Sequence, residues 1–184
     1  MPLKTVVKVG SLTNLSDARY CAGMDVQLLG FQAVSGLPNY ITPARFQEIR
    51  GWIAGPSIVV EVHGIPAHSD INTIIEAYRP DYLEVGLAEL PLIGNLAIPF
   101  IIRVRPGETL DNRGIGQAYT LVDIDDHRHF EAPRIVHVSS LEDALRAVKD
   151  EDVSGIALQG SEELSPGLKT YDTLAPILEM LEEA

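Results

Sequence analysis

Three groups of residues in this 184-residue chain have types and spacings suited to chemistry. Glu61 and His63 stand two apart in "SIVVEVH", so on a strand a carboxylate and an imidazole face one side and can work as an acid/base pair. Arg103 and Arg105 repeat that spacing in "PFIIRVR", which suits bidentate binding of a phosphate or carboxylate. Asp123 closes the apolar run "TLVD", with Asp125 and Asp126 just beyond it. An ordinary aspartate titrates near about 3.9, so acting as a general acid at neutral pH requires burial or a like-charged neighbour; otherwise Asp123 is a loop-capping carboxylate. The surrounding "DIDDHRH" reads as a solvated loop, because no second ligand group stands at a metal-binding spacing. Neither a metal nor a cofactor is expected.

A second reading stands beside the catalytic one for Lys8, Glu61, Glu84 and Arg103. Buried charges need partners, and these four, on four different strands, can neutralise one another as an ion-paired layer. Cys21 falls on a helix, where a free cysteine packs as a small hydrophobe. His68 reads as part of a turn before a helix.

The elements that must position these groups alternate along the chain. Eight short apolar runs cover 4–10, 26–31, 57–63, 82–86, 99–105, 119–125, 134–139 and 155–160. Their near-continuous apolar character suits strands buried on both faces of a parallel sheet. Between them lie helix signals: Asn14 as a cap with Gly23 as a stop, Thr42 before Pro43, Ser69 or Asp70 before a helix ending at Pro80, and Ser139 or Ser140. Pro176 in the last segment implies a kink or a late start. The connections after the fifth and sixth runs, "PGETLDNRGIGQA" and "DHRHFEAP", are too short for full helices. Eight β/α units without a domain boundary predict one (β/α)8 TIM barrel over residues 1–184, smaller than usual, with reduced helices after strands 5 and 6. A doubly wound sheet is the alternative, disfavoured by the count of eight and the lack of a GxGxxG turn.

The bulk properties exclude several classes. Fourteen Lys and Arg against 26 Asp and Glu give a net charge of −12, with no basic patch of the kind a nucleic-acid binder needs. No apolar run approaches the roughly 18 to 20 residues that span a bilayer. The start of the chain lacks the apolar core and cleavage site of a signal peptide, and a single cysteine permits no internal disulfide, so a cytoplasmic location is expected. A phosphorylated or otherwise anionic small molecule remains compatible with the negative total, because helix N-termini and one or two basic residues can hold it. Either a monomer or a homodimer is expected.

The stretch "KVGSLTNLSDARYCAGMDVQLLGF" resembles the N-terminus of the phosphoribosylanthranilate isomerase family, barrels of tryptophan biosynthesis. Lys8, Leu12, Thr13, Asp17, Ala18, Ala22, Gly23, Gly30 and Phe31 fit that family's opening, "NYITPARFQEI" resembles its next segment, and "GSEELSPGLK" resembles its segment after strand eight. The resemblance implies an Amadori rearrangement of a phosphoribosyl aminoaldose, with Asp123 as the acid and phosphate contacts near Gly160 and Ser161. It also marks departures. The family's cysteine base falls on Gly10, its substrate arginine on Asn39, and the glycines of its phosphate loop after strand seven on "HVSS".

Three functions follow as expectations. The first is an isomerase of that family with Asp123, Glu61 and His63 as catalytic groups, and Lys8, Arg103, Arg105, Gly160 and Ser161 as substrate or phosphate contacts. The second is a non-catalytic or repurposed barrel that binds a small anionic metabolite or a protein partner. The third is another isomerase or lyase that uses the same charged strand ends.

Overall fold

The computed structural model describes residues 3–94, 96–111, 116–160, 163–165, 168–169 and 174–182. Eight parallel strands close into a barrel in sequence order: β1 (Val6–Gly10), β2 (Leu28–Gln32), β3 (Ser57–Glu61), β4 (Tyr82–Gly86), β5 (Phe100–Arg103), β6 (Tyr119–Asp123), β7 (Arg134–His137) and β8 (Val153–Gln159). The ring shuts where Lys8 pairs with Leu28 of β2 on one side and with Ala157 of β8 on the other. This is the (β/α)8 architecture that the alternating apolar runs predict.

Local capping sets where the helices start. Asn14 accepts the Asp17 N–H ahead of α1 (Leu15–Gly23), and Thr42 accepts the Arg45 N–H ahead of α2 (Pro43–Arg50), where Pro43 at the first position lacks only a donor that would go unused. Asp70, not Ser69, caps α3 (Ile71–Tyr78), and Ser140, not Ser139, caps α5 (Leu141–Lys149). After β4 the chain forms a 3-10 turn (Leu87–Glu89) and a single helical turn, α4 (Leu90–Ile93), a third reduced unit that the sequence did not signal. The connections at 104–118 and 124–133 contain no helix among the described residues. In their place buried Leu110 and Phe130 join the same apolar cluster as Ile102, Val104, Val122 and Val136. After β8 come two antiparallel strands, β9 (Glu163–Ser165) and β10 (Leu168–Lys169), then α6 (Leu174–Glu182), with Pro176 in its first described turn, the late start that a proline there permits.

Two apolar clusters stabilise the barrel. Leu28, Val59, Ile101, Leu121, Ile135 and Ala157 fill its lower interior as a closed layer. The larger cluster lies between strands and helices. There Phe46 of α2 packs edge-on to Phe31 with ring centroids 5.0 Å apart and against Tyr78 of α3 at 5.1 Å. The Tyr78 hydroxyl donates to the Ile41 carbonyl, which satisfies the one polar atom in that contact. No helix among the described residues is long and apolar enough to cross a membrane.

Several strands stop earlier than their apolar runs. β3 ends at Glu61, β5 at Arg103, β6 at Asp123 and β7 at His137, so His63, Arg105, Asp125 and Ser139 lie on loops beyond the sheet. The pleat continues for a residue or two past the last ladder bond, which is why the period-2 pattern overshoots.

Phe46→Ala removes the side chain that joins β2, α2 and α3, and is expected to cost about 3–5 kcal/mol. A lower urea midpoint with unchanged far-ultraviolet circular dichroism below the transition would show it.

Candidate functional site

The layer above the apolar floor is charged. Lys8 on β1 lies between two carboxylates, with Nζ 2.8 Å from Glu61 Oε1 and 2.8 Å from Glu84 Oε2, and all three side chains are buried. Burial alone would drive the Lys8 ammonium toward neutrality, but Glu61 and Glu84 outweigh it and hold the pKa above the usual lysine value. Burial likewise raises Glu61, and the Lys8 charge and hydrogen bond, with smaller help from His63 and the Ser11 amide, bring it below the usual carboxylate range. Glu84 has two further neighbours at its other oxygen, His63 Nε2 at 3.7 Å and Arg103 Nη1 at 4.0 Å. The ion-paired layer among Lys8, Glu61, Glu84 and Arg103 is therefore present.

Glu61 shapes the backbone around it. Its Oε1 accepts the Ser11 N–H at 3.1 Å and its Oε2 accepts the Ser11 hydroxyl at 3.1 Å, holding Ser11 in a left-handed conformation (φ 55°) that serine seldom adopts. A Cβ on Gly10 would lie 2.6 Å from Glu61 Oε1 and 2.7 Å from Lys8 Nζ, and one on Gly30 would collide with the same oxygen. Both glycines are thus required by the carboxylate between them. The space into which a side chain at position 10 would project is occupied by Glu61. Asn39, the other departure on this side of the mouth, is left-handed too (φ 61°), a conformation asparagine tolerates better than arginine.

Above this layer a cavity of about 260 Å³ opens at the C-terminal end of the strands. Arg103, Arg105, Asp123, His137, Gln159 and Ser11 line its polar side. Asp123 and His137 are register partners on β6 and β7. Asp123 is exposed, with Oδ1 accepting the Ile124 N–H at 3.2 Å. Burial holds the half-buried His137 imidazole below its usual pKa; the Arg103 charge adds to this and Asp123 partly offsets it. An imidazole of lowered basicity therefore stands on the strand next to that of Asp123, within the influence of the Arg103 guanidinium. A second, more open cavity of about 630 Å³ adjoins the first through Pro106 and Asp123 and is bordered by Asp125, Asp126 and Arg128.

The expected site residues divide accordingly. Asp123, Glu61, Lys8, Arg103 and Arg105 meet around the cavity, while His63 lies outside its lining. Glu61 is buried and accepts from Lys8 Nζ and twice from Ser11, a poor arrangement for a group that must take up a proton. Gly160 is at the rim, but its N–H donates to the Gly10 carbonyl at 2.8 Å. Ser161, like Pro166 and Gly167, lies outside the described residues. His137 is the addition: the run "RIVHVS" places it among the polar groups at strand ends, and only the pairing of its strand with that of Asp123 gives it a partner. Cys21 is buried on α1 with its thiol pushed up to about 12 by burial and Asp17, and does not reach the mouth lining. Among the described residues no group of three or more His, Cys, Asp and Glu side chains is placed to hold a metal ion.

No protein-family model matches the sequence, and no curated protein matches it. Solved structures do match. A TrpF structure from Jonesia denitrificans superposes with a TM-score of 0.77 at 14% identity, covering 97% of each chain. Phosphoribosyl anthranilate isomerase from Thermus thermophilus gives 0.73 at 16%, covering 96% of this chain and 98% of that one. The enzyme from Thermotoga maritima gives 0.74 at 14%, covering 98% and 100%. At these identities the likeness establishes a shared fold over nearly the whole chain.

Two outcomes follow from the buried triad. Lys8→Met leaves two buried carboxylates without their ammonium and is expected to cost about 3–5 kcal/mol, seen as a lower urea midpoint at pH 7. Because Glu61 is depressed, its contribution is complete above its unfolded pKa and is lost as pH falls below it through the folded value. Urea midpoints between pH 6 and 3 should fall less steeply in Glu61→Gln than in the native protein, whatever the variant's stability at pH 7. Separately, Gly10→Cys forces a side chain onto Glu61 and should cost about 1–3 kcal/mol. Combined with Glu61→Ala the penalty of the cysteine should shrink, a non-additivity that a double-mutant cycle measures.

Proposed function

We propose that this chain is a divergent barrel of the phosphoribosylanthranilate isomerase kind, working at the mouth described above on a small anionic aminoaldose. The observation that carries the reading is the pairing of Asp123 with His137 on adjacent strands, with Arg103 on the next strand beyond Asp123, in a fold shared with those isomerases. The reaction to test first is the Amadori rearrangement of N-(5'-phosphoribosyl)anthranilate. An acid protonates the ring oxygen as the C1–O bond breaks, leaving an iminium between C1 and nitrogen. A base then takes the C2 proton, the C2–H electron pair forms the C1–C2 double bond, and the iminium pair returns to nitrogen. Transfer of the enol proton, with protonation at C1, completes the aminoketose. In this reading His137 is the base, replacing a side chain that position 10 has no room to carry, and Asp123, exposed at the mouth, serves as the acid only once bound substrate buries it and raises its carboxyl.

A second reading, a barrel that binds such a metabolite without turning it over, is favoured by one observation. Glu61 and the Gly160–Gly10 hydrogen bond fill two places where the resemblance implies a base and a phosphate contact.

A fluorescence assay of phosphoribosylanthranilate turnover separates the two. The isomerase reading expects activity that falls about 10²- to 10⁴-fold in Asp123→Asn and in His137→Gln. Since the imidazole must be neutral to accept a proton, the ascending limb of kcat/KM against pH should be centred below the usual histidine value of about 6.5. His137→Gln should abolish that limb. No turnover at high enzyme concentration overturns the isomerase and leaves the binding barrel.

A further inference from the structure

The inner apolar layer fixes what stands above it. Ile101, Leu121, Ile135 and Ala157 point into the barrel from β5, β6, β7 and β8. Side chains alternate along a strand, so the residues two positions on, Arg103, Asp123, His137 and Gln159, point the same way one level higher. All four line the cavity. Four successive strands thus edge the mouth with a cation, an anion, an imidazole and a neutral amide. Gln159, the neutral member, has no part in the proton transfers.

Hydrogen-bond accounting sets which end of its amide faces the cavity. Ser11 has one hydroxyl hydrogen, and Glu61 Oε2 accepts it at 3.1 Å. That carboxylate oxygen has no other donor among the described residues, so turning the hydrogen elsewhere would leave a buried acceptor unsatisfied. The Ser11 oxygen is left with lone pairs only, and whatever meets it must donate. Gln159 meets it with Nε2 at 3.4 Å. The opposite orientation would set the amide carbonyl against those lone pairs. Gln159 Oε1 accepts no hydrogen bond among the described residues, and the residue is exposed at the cavity. The backbone beneath it is held, since Gln159 pairs with Gly10 and the Gly160 N–H donates to the Gly10 carbonyl at 2.8 Å. A line of hydrogen bonds therefore runs from Lys8 through Glu61 and Ser11 to Gln159 and ends on an acceptor open to the mouth.

We infer that Gln159 is a specificity-determining residue of the mouth: its side-chain carbonyl accepts a hydrogen bond from a hydroxyl of the bound ligand, and Ser11 is the positioning residue that holds the amide in that orientation. A neutral acceptor suits an uncharged donor, and an aldose offers hydroxyls. The inference rests on the mouth binding the anionic aminoaldose proposed above, and names the group that reads its hydroxyls.

Calorimetric titration with D-ribose 5-phosphate and with n-pentyl phosphate, at one ionic strength and pH 7.5, compares one anion with and without hydroxyl groups. Gln159→Met keeps the side-chain length and removes the acceptor. It should lower the ratio of the two affinities about 3- to 10-fold in the sense of losing the sugar phosphate, the worth of one hydrogen bond, with n-pentyl phosphate unchanged. Ser11→Gly keeps the left-handed backbone and the amide bond to Glu61. It should lower the ratio in the native background and leave it unchanged in Gln159→Met. Circular dichroism of each variant confirms folding before titration. A ratio indifferent to Gln159→Met, or both phosphates weakened alike, overturns the inference. An equal effect of Ser11→Gly in both backgrounds overturns the positioning role. Turnover keeps this separate from the reaction. A Gln159-dependent preference without turnover overturns the isomerase alone, and phosphoribosylanthranilate turnover with kcat/KM unchanged in Gln159→Met overturns the role of Gln159 alone. Binding of neither phosphate overturns both.

Discussion

One ammonium between two carboxylates in the throat of the barrel governs the arrangement above it. Lys8, Glu61 and Glu84 come from β1, β3 and β4, so the cluster exists only when the ring is closed, and each side chain is buried. Removing ions from water costs several kcal/mol apiece, and only good geometry with further hydrogen bonds offsets it. Glu61 meets that condition, accepting from Lys8 and from both donors of Ser11, whereas Glu84 is held by charge, with Lys8 at 2.8 Å and Arg103 at 4.0 Å, and its Oε2 has no hydrogen-bond partner among the described residues. The requirement then propagates outward. Gly10 and Gly30 must lack side chains because the Glu61 carboxylate lies against both, and Ser11 must turn left-handed to present its amide and hydroxyl together.

Much of the fold was legible because strands and helix starts are local. The apolar runs gave eight strands, and Asn14, Thr42 with Pro43, and Ser140 marked helix starts by mechanisms that need only neighbouring residues. Two details escaped. The single turn after β4 follows from Pro91 and from Glu89 folding back on the Gly86 and Gly64 amides, a contact whose second half spans 25 residues. Strand ends were overrun because alternation outlasts the ladder, which put His63 on a strand when it stands beyond one.

The site was legible as a set of residues and illegible as an arrangement. Glu61, Arg103 and Asp123 could be named from spacing or resemblance, but nothing local says that Glu61 reaches the space above Gly10, or that His137 stands next to Asp123. Read along the chain, Gly10 is a missing cysteine; in three dimensions it is the clearance that a glutamate 51 positions later demands. The same holds for Asn39, whose left-handed backbone accounts for the residue type without reference to substrate.

These contacts describe a mouth whose packing around position 10 is complete. Loss of a catalytic side chain by itself leaves a void or an unsatisfied group, and both are costly in a dense interior. At position 10 there is neither, since the carboxylate that fills the space is held by an ammonium, an amide and a hydroxyl. The loop donors are treated alike, with Glu89 joining the ends of β3 and β4 and Asp143 closing the start of α5. Each such carboxylate occupies an amide that an external anion could otherwise use and fixes the loop it binds. Arg103, weakly tied to Glu84 below and two strands from His137 around the barrel, is the point where the buried charge layer and the open cavity meet. Its charge links the two, lowering the imidazole pKa while offering a guanidinium to whatever enters. An anion seated there would cancel part of that influence and make His137 more basic when the mouth is occupied than when it is empty.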